Sequence, residues 1–251
     1  MLTVDLNCDL GEGFGEDIIP YITSANIACG FHAGSPDIMR RTVRACIRHG
    51  VAVGAHPGYP DREGFGRRIM DLGYEETVNL ILYQAGALRA IAEAEGTRLR
   101  HMKVHGALYN LAARDEKTAA AVVEAVSLLE ENLLLFVPYA SVLERIGRQK
   151  GIAVAVEVFA DRNYNNDGTL VSREDPRALV QNPAEVAARA AEIVMRGRIQ
   201  TADGGSIKLK PDTISLHGDT PGAFKSACMV RMALIDAGIN LAAPVPPSGR
   251  G

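Results

Sequence analysis

The chain has 251 residues, 47% of them hydrophobic and 23% charged, and a formal net charge of −3. That length holds one large α/β domain or two small ones. The absence of any Lys/Arg run argues against nucleic acid as a partner, and no apolar stretch approaches the length of a membrane span.

Strand-like segments alternate with helical ones along the chain. Strands are predicted at 3–7, 25–28, 51–55, 101–105, 133–137, 154–159 and 213–217. Helices are predicted at 36–49, 74–95, 115–130, 141–150, 183–196 and 221–237. Ser35-Pro36, Asn182-Pro183 and Thr220-Pro221 each place Pro at a first helical position, where its missing N–H costs nothing. Strands alternating with helices imply a parallel sheet, and seven strand signals in about 220 residues favour a closed β/α barrel over an open sheet. Asp203-Gly204-Gly205 joins two short runs, 199–202 and 206–209, in a hairpin inserted before the last strand. One domain is expected over 1–243, with a flexible tail at 244–251. Strand-like sequence from Leu2 onward leaves no room for a signal peptide. Cys8, Cys29, Cys46 and Cys228 are scattered without metal-ligand spacing, as reduced thiols are, so the expected location is the cytoplasm.

Four of the six histidines share one local pattern, an apolar run ending in His with Gly within two residues. They are His32, His56, His105 and His217. Each reads as the end of a buried strand, and parallel α/β folds collect their chemistry at such ends. His49, before Gly50 at a helix end, and His101, beside Arg100, read instead as structural or solvated. On the first strand Asp5, Asn7 and Asp9 share one face, and Leu6, Cys8 and Leu10 share the other. The polar face belongs either in the barrel interior, where it requires partners, or on an exposed edge. The following Gly-rich segment, with Glu12, reads as a loop that lets backbone approach a ligand.

Lys103 and His105 form a second pair two residues apart. Lys103 is a candidate anchor for a phosphate or carboxylate, or a lysine reaching solvent from the strand end. Glu157 lies inside an apolar strand, where a carboxylate is functional or the register is wrong. The loop 57–73 carries Arg62, Arg67 and Arg68 and could close over an anion, or be an ordinary solvated loop. The segment with Asp161 and Arg162 is dense in donors and turn formers, which suggests ligand binding. No Gly-Lys dipeptide occurs, which excludes a P-loop, and no Gly-x-Ser-x-Gly occurs, which excludes a hydrolase elbow. Asp9, His32 and His56 would make a one-carboxylate, two-histidine metal set.

Six stretches together resemble the LamB/YcsF family: 5–13 (DLNCDLGEG), 26–34 (NIACGFHAG), 54–67 (GAHPGYPDREGFGR), 103–110 (KVHGALYN), 157–173 (EVFADRNYNNDGTLVSR) and 216–222 (LHGDTPG). They run in order over almost the whole chain. One departure is Val104, where the family usually has Pro. The resemblance implies an irregular seven-stranded β/α barrel related to the glycoside hydrolase and deacetylase barrels. It also implies the A component of an ATP-dependent 5-oxoprolinase, which converts 5-oxo-L-proline, ATP and two waters to L-glutamate, ADP and phosphate with subunits B and C. On that reading Asp9, His56, His105, His217 and Glu157 are the catalytic candidates. Asn7, Glu12, Arg67, Lys103, Asp161, Arg162 and Asp219 are candidates for binding substrate or ATP, the nucleotide entering with Mg2+. Two other readings stay open: a metal-dependent amide or acetyl hydrolase, and a non-catalytic protein that binds the lactam. A homo-oligomer is compatible with all three.

Overall fold

The computed structural model describes residues 1–129, 132–216, 218 and 222–245. Seven parallel strands close into a barrel in the order β1 (Thr3–Leu10), β2 (Ser24–Ala28), β3 (Ala52–His56), β4 (His101–Met102), β5 (Leu134–Pro138), β6 (Val154–Phe159) and β9 (Thr213–Leu216), with β9 returning to β1. Between β6 and β9 the chain makes α6 (Pro183–Arg196) and an antiparallel hairpin, β7 (Arg198–Gln200) with β8 (Ser206–Lys208), where the Gly-Gly turn predicts it. The outer ring comprises α1 (Pro36–His49), α2 (Tyr74–Ala94), α3 (Gly106–Ala112), α4 (Glu116–Leu129), α5 (Val142–Gln149), α6 and α7 (Ala223–Asp236).

The helix ends follow from local chemistry. The Ser35 hydroxyl accepts from Ile38 N at 3.3 Å, Pro36 opens α1, and Gly50 closes it in the left-handed conformation. Asn182 caps α6 through Ala184 N at 3.0 Å. Three elements have no counterpart in the predicted pattern: a 3-10 helix (Glu16–Tyr21), the short α3, and β10 (Asn240–Leu241), which pairs with the start of β1. The predicted fourth strand is cut from five residues to two, because the chain turns into α3 at His105.

Strand alternation sorts the side chains. Leu6, Cys8 and Leu10 point outward and join Ile27, Val43, Cys46, Ile81 and Leu88 in the core between barrel and helices. Asp5, Asn7 and Asp9 point inward, so the interior reading of that face holds and the edge reading does not. The parallel register aligns Asp5 with Thr213 and Thr213 with Glu157, and it aligns Asp9 with Asn26, Asn26 with Gly54, and Gly54 with His101. The interior is therefore a column of polar layers, whereas most β/α barrels fill this space with branched apolar residues.

Candidate active site

At the bottom of the column Asp5 is wholly buried. It accepts hydrogen bonds from the hydroxyls of Thr23, Ser24 and Thr213. Burial pushes its carboxyl up to about 6, against those hydroxyls, which pull it down. One layer higher, Asn7 donates to Thr213 Oγ1 at 2.7 Å and accepts from Asn26 Nδ2 at 2.7 Å. His101 meets Asn26 Oδ1 at 2.8 Å and stacks on Phe136 with ring centroids 4.2 Å apart. Gly54 makes room for it, since a Cβ there would lie 2.1 Å from His101 Nε2. His101 is thus structural and buried, and the solvated alternative falls.

The next layer is an ion cluster. Lys103 Nζ lies 3.0 Å from Asp9 Oδ1, 2.8 Å from Glu157 Oε1 and 3.1 Å from Ser215 Oγ. Glu157 Oε2 also accepts from the Tyr109 hydroxyl at 2.6 Å. Burial alone would lower the Lys103 pKa, but the two carboxylates outweigh it and hold the ammonium above its ordinary value. Lys103 reaches two carboxylates inside the barrel and does not reach solvent. Glu157, near the base of the mouth, is in register and points inward.

At the mouth, Glu12 and three histidines converge. Their nearest ligand atoms all lie within 4.8 Å of one another. Glu12 comes from the loop after β1, His32 from the loop after β2, His56 from the end of β3 and His105 from the start of α3. Glu12 Oε1 is 3.1 Å from His32 Nε2, 3.4 Å from His105 Nδ1 and 3.9 Å from His56 Nε2. The His32 and His105 rings stack in parallel with centroids 3.8 Å apart. Asp9 borders this group, its Oδ2 3.3 Å from His56 Nε2, while its other oxygen takes Lys103 and Asn26. Burial drives His32 well below the ordinary imidazole value and His105 down to about 3, in each case reinforced by the neighbouring imidazoles.

Several sequence-derived candidates have other work. Asn7 cannot be a substrate contact, because it lies two layers below the mouth with its amide bonded to Thr213 and Asn26. Arg162 is buried, and its guanidinium donates to the carbonyls of Val171 and Ala178, so it holds the following loop together instead of facing a ligand. In the 57–73 loop Arg62 donates to the carbonyls of Gly30 and Gly34, and Arg68 pairs with Asp61. Arg67 stays exposed, its guanidinium 5.0 Å over the Phe65 ring at the rim. Asp161 is buried at the end of β6. His217 and Asp219 lie outside the described residues. Of the three residues read from the sequence as a possible metal set, His32 and His56 stand with Glu12 and His105 at the mouth, and Asp9 stands beside them.

Sequence reasoning missed two contributors. Tyr109, on the unforeseen α3, orients Glu157. Phe65 presents its carbonyl to His105 Nε2 at 2.8 Å. Only close packing allows the second contact: Gly66 O accepts from Ala107 N at 2.9 Å, and a Cβ on Gly106, whose φ is +58°, would sit 2.5 Å from Gly66 O.

A closed parallel β/α barrel with ionisable groups buried at the carboxyl ends of its strands is the class of protein that this fold and site define. At the level of fold alone, the chain is similar to a peptidoglycan deacetylase from Bacillus subtilis, with a TM-score of 0.50 at 13% identity over 96% of this chain and 87% of that one. Within that class the chain belongs to the LamB/YcsF family, whose model matches residues 4–248. It is 51% identical over 248 residues to the A component of 5-oxoprolinase from Methylococcus capsulatus, covering 96% of this chain and 95% of that protein. The crystal structure of a lactam utilization protein from Thermus thermophilus superposes with a TM-score of 0.92 at 44% identity, over 97% of this chain and all of that one. Among the described residues no helix is long and apolar enough to cross a membrane.

Proposed function

We propose that this chain carries the ring-opening site of an ATP-dependent 5-oxoprolinase and works with further subunits, since its relatives are named as one component of several. The observation that carries the reading is the buried Asp9–Lys103–Glu157 cluster under the mouth, which supplies a base and an acid in direct contact. In the proposed reaction the γ-phosphoryl group of ATP, bound with Mg2+, moves to the lactam oxygen and leaves ADP. One water adds to the activated carbon, and the C–N bond breaks. The second water releases phosphate from the acyl oxygen, giving glutamate.

Asp9 is the more open of the two carboxylates on Lys103, with 14% side-chain exposure against none for Glu157. It takes the proton of the attacking water. Lys103 delivers a proton to the departing ring nitrogen and recovers one from Asp9 across their 3.0 Å contact. Glu157 and Tyr109 hold Lys103 in place. Neither His56 nor His105 serves as the proton carrier here, since both give one ring nitrogen to a backbone carbonyl and turn the other toward Glu12. Arg67 at the rim is placed to meet an anionic substrate.

Asp9→Asn, assayed in the complete complex of all its subunits, should lower 5-oxoproline-dependent ATP hydrolysis and glutamate release together, by roughly a hundredfold or more. Full activity in that variant would overturn the assignment. The convergence of Glu12 with three histidines favours a second reading, an amide or acetyl hydrolase that needs no ATP. Glutamate release by this chain alone, without nucleotide, would select it.

A further inference from the structure

We propose that Glu12, His32, His56 and His105 form a binding site for one divalent transition metal ion, of the zinc class, at the mouth of the barrel. The direction of the ring lone pairs carries this site, whichever amide is turned over. His56 Nδ1 lies 2.7 Å from the Lys103 carbonyl oxygen, and His105 Nε2 lies 2.8 Å from the Phe65 carbonyl oxygen. A carbonyl only accepts, so each of those nitrogens carries the hydrogen. The opposite nitrogens, His56 Nε2 and His105 Nδ1, are therefore bare.

Those two bare nitrogens face each other at 2.9 Å. The same Glu12 oxygen faces both, at 3.9 and 3.4 Å. Two lone pairs and a carboxylate oxygen repel at such distances unless something positive lies among them. His32 Nε2 completes the group at 3.1 Å from that oxygen, and His32 Nδ1 has no hydrogen-bond partner among the described residues to set its tautomer otherwise.

The dimensions suit a metal. Bonds of about 2.0–2.1 Å in a tetrahedron separate the ligand atoms by about 3.3 Å; four of the six separations here run from 2.9 to 3.9 Å, and all lie within 4.8 Å. Three imidazoles and one carboxylate suit zinc, cobalt, nickel or iron(II) over magnesium or calcium. The carbonyls of Lys103 and Phe65 act as the outer partners that fix ligating imidazoles. A proton shared as an imidazolium is the competing occupant.

The test measures metal directly. The full-length chain is stripped with chelator and titrated with zinc by calorimetry. It is then loaded with cobalt(II), whose visible d–d bands report coordination. Near one equivalent of zinc and an intense low-coordinate cobalt spectrum are expected. Glu12→Gln and His105→Ala should weaken zinc binding at least tenfold, with circular dichroism confirming the fold of each. A wild-type chain that takes up neither zinc nor cobalt would overturn the proposal, as would uptake that both variants leave unchanged. A metal-binding chain in a complex that releases no glutamate would sink the proposed function and leave this site standing. An active complex whose chain takes up neither zinc nor cobalt would do the reverse.

Discussion

Lys103→Met is the most direct perturbation of the buried cluster. Methionine keeps the length and apolar stem of lysine and removes only the ammonium. In the native protein that ammonium lies between two carboxylates at 2.8 and 3.0 Å, on a side chain that is 3% exposed. Removing one member of a buried ion pair costs about 3–5 kcal/mol, because the charges left behind have lost their compensation. Asp9 can recover some water through its partial exposure. Glu157 is closed off and, among the described residues, keeps the Tyr109 hydroxyl, so most of the penalty falls on Glu157. Adding Glu157→Gln should return a substantial part of the loss, with a coupling of about 1–3 kcal/mol between the two positions. Urea denaturation of wild type, both single variants and the double variant, extrapolated to water, measures the cycle. The reasoning fails if Lys103→Met costs less than about 1 kcal/mol, or if the double variant is no more stable than Lys103→Met alone.

Two further predictions concern the lower barrel. Asp5 has its carboxyl raised to about 6 in the folded chain from an ordinary 3.8. Between those values the folded state binds more protons than the unfolded one, so this group's contribution to stability grows as pH falls from 6 toward 4. That contribution is worth about 3 kcal/mol, and Asp5→Asn should abolish it. The stability difference between wild type and Asp5→Asn, followed from pH 4 to 7, should therefore change with pH; a constant difference would refute the assignment. Gly54→Ala places a Cβ 2.1 Å from a ring that Asn26 and Phe136 hold in place. A loss of about 3 kcal/mol is expected, seen as a melting temperature lowered by roughly 5–10 °C. Gly86→Ala, in α2 with nothing within 4 Å of the added carbon, serves as the control and should not destabilise.

The parts of the fold set by local periodicity were legible in the sequence. Alternation along β1 alone separated Asp5, Asn7 and Asp9 from Leu6, Cys8 and Leu10. Pro at first helical positions placed the starts of α1 and α6 at the observed residues. The end of β4 was not legible, because His105 reads as a strand residue until Gly106 is seen in the left-handed conformation needed to approach Gly66. Side-chain type also misled at Arg162, since a guanidinium that holds backbone carbonyls looks in sequence like one that awaits an anion. The Phe65 carbonyl was invisible for a deeper reason: every residue carries one, so only the path of the loop shows where it points. Glu12 was noticed as part of a loop, but its meeting with three histidines from separate segments is a fact of barrel closure.

Charge links the proposed reaction to the proposed metal. With the carboxylates ionised and the imidazoles neutral, the formal charges of Asp9, Glu12, Glu157 and Lys103 sum to two negative charges. Asn7, Asn26, Ser215 and His101 line the layers around it and supply dipoles but no charge. A carboxylate substrate, and still more a phosphorylated one, would enter that centre against repulsion that burial leaves only weakly screened. One divalent cation among Glu12 and the three histidines brings these groups to neutrality. It leaves Lys103 free to exchange a proton with Asp9 without raising the charge of the site. The same cation that quiets the facing lone pairs of His56 and His105 thus makes the mouth hospitable to an anion. Lys103, already matched by two carboxylates, could not do so by itself.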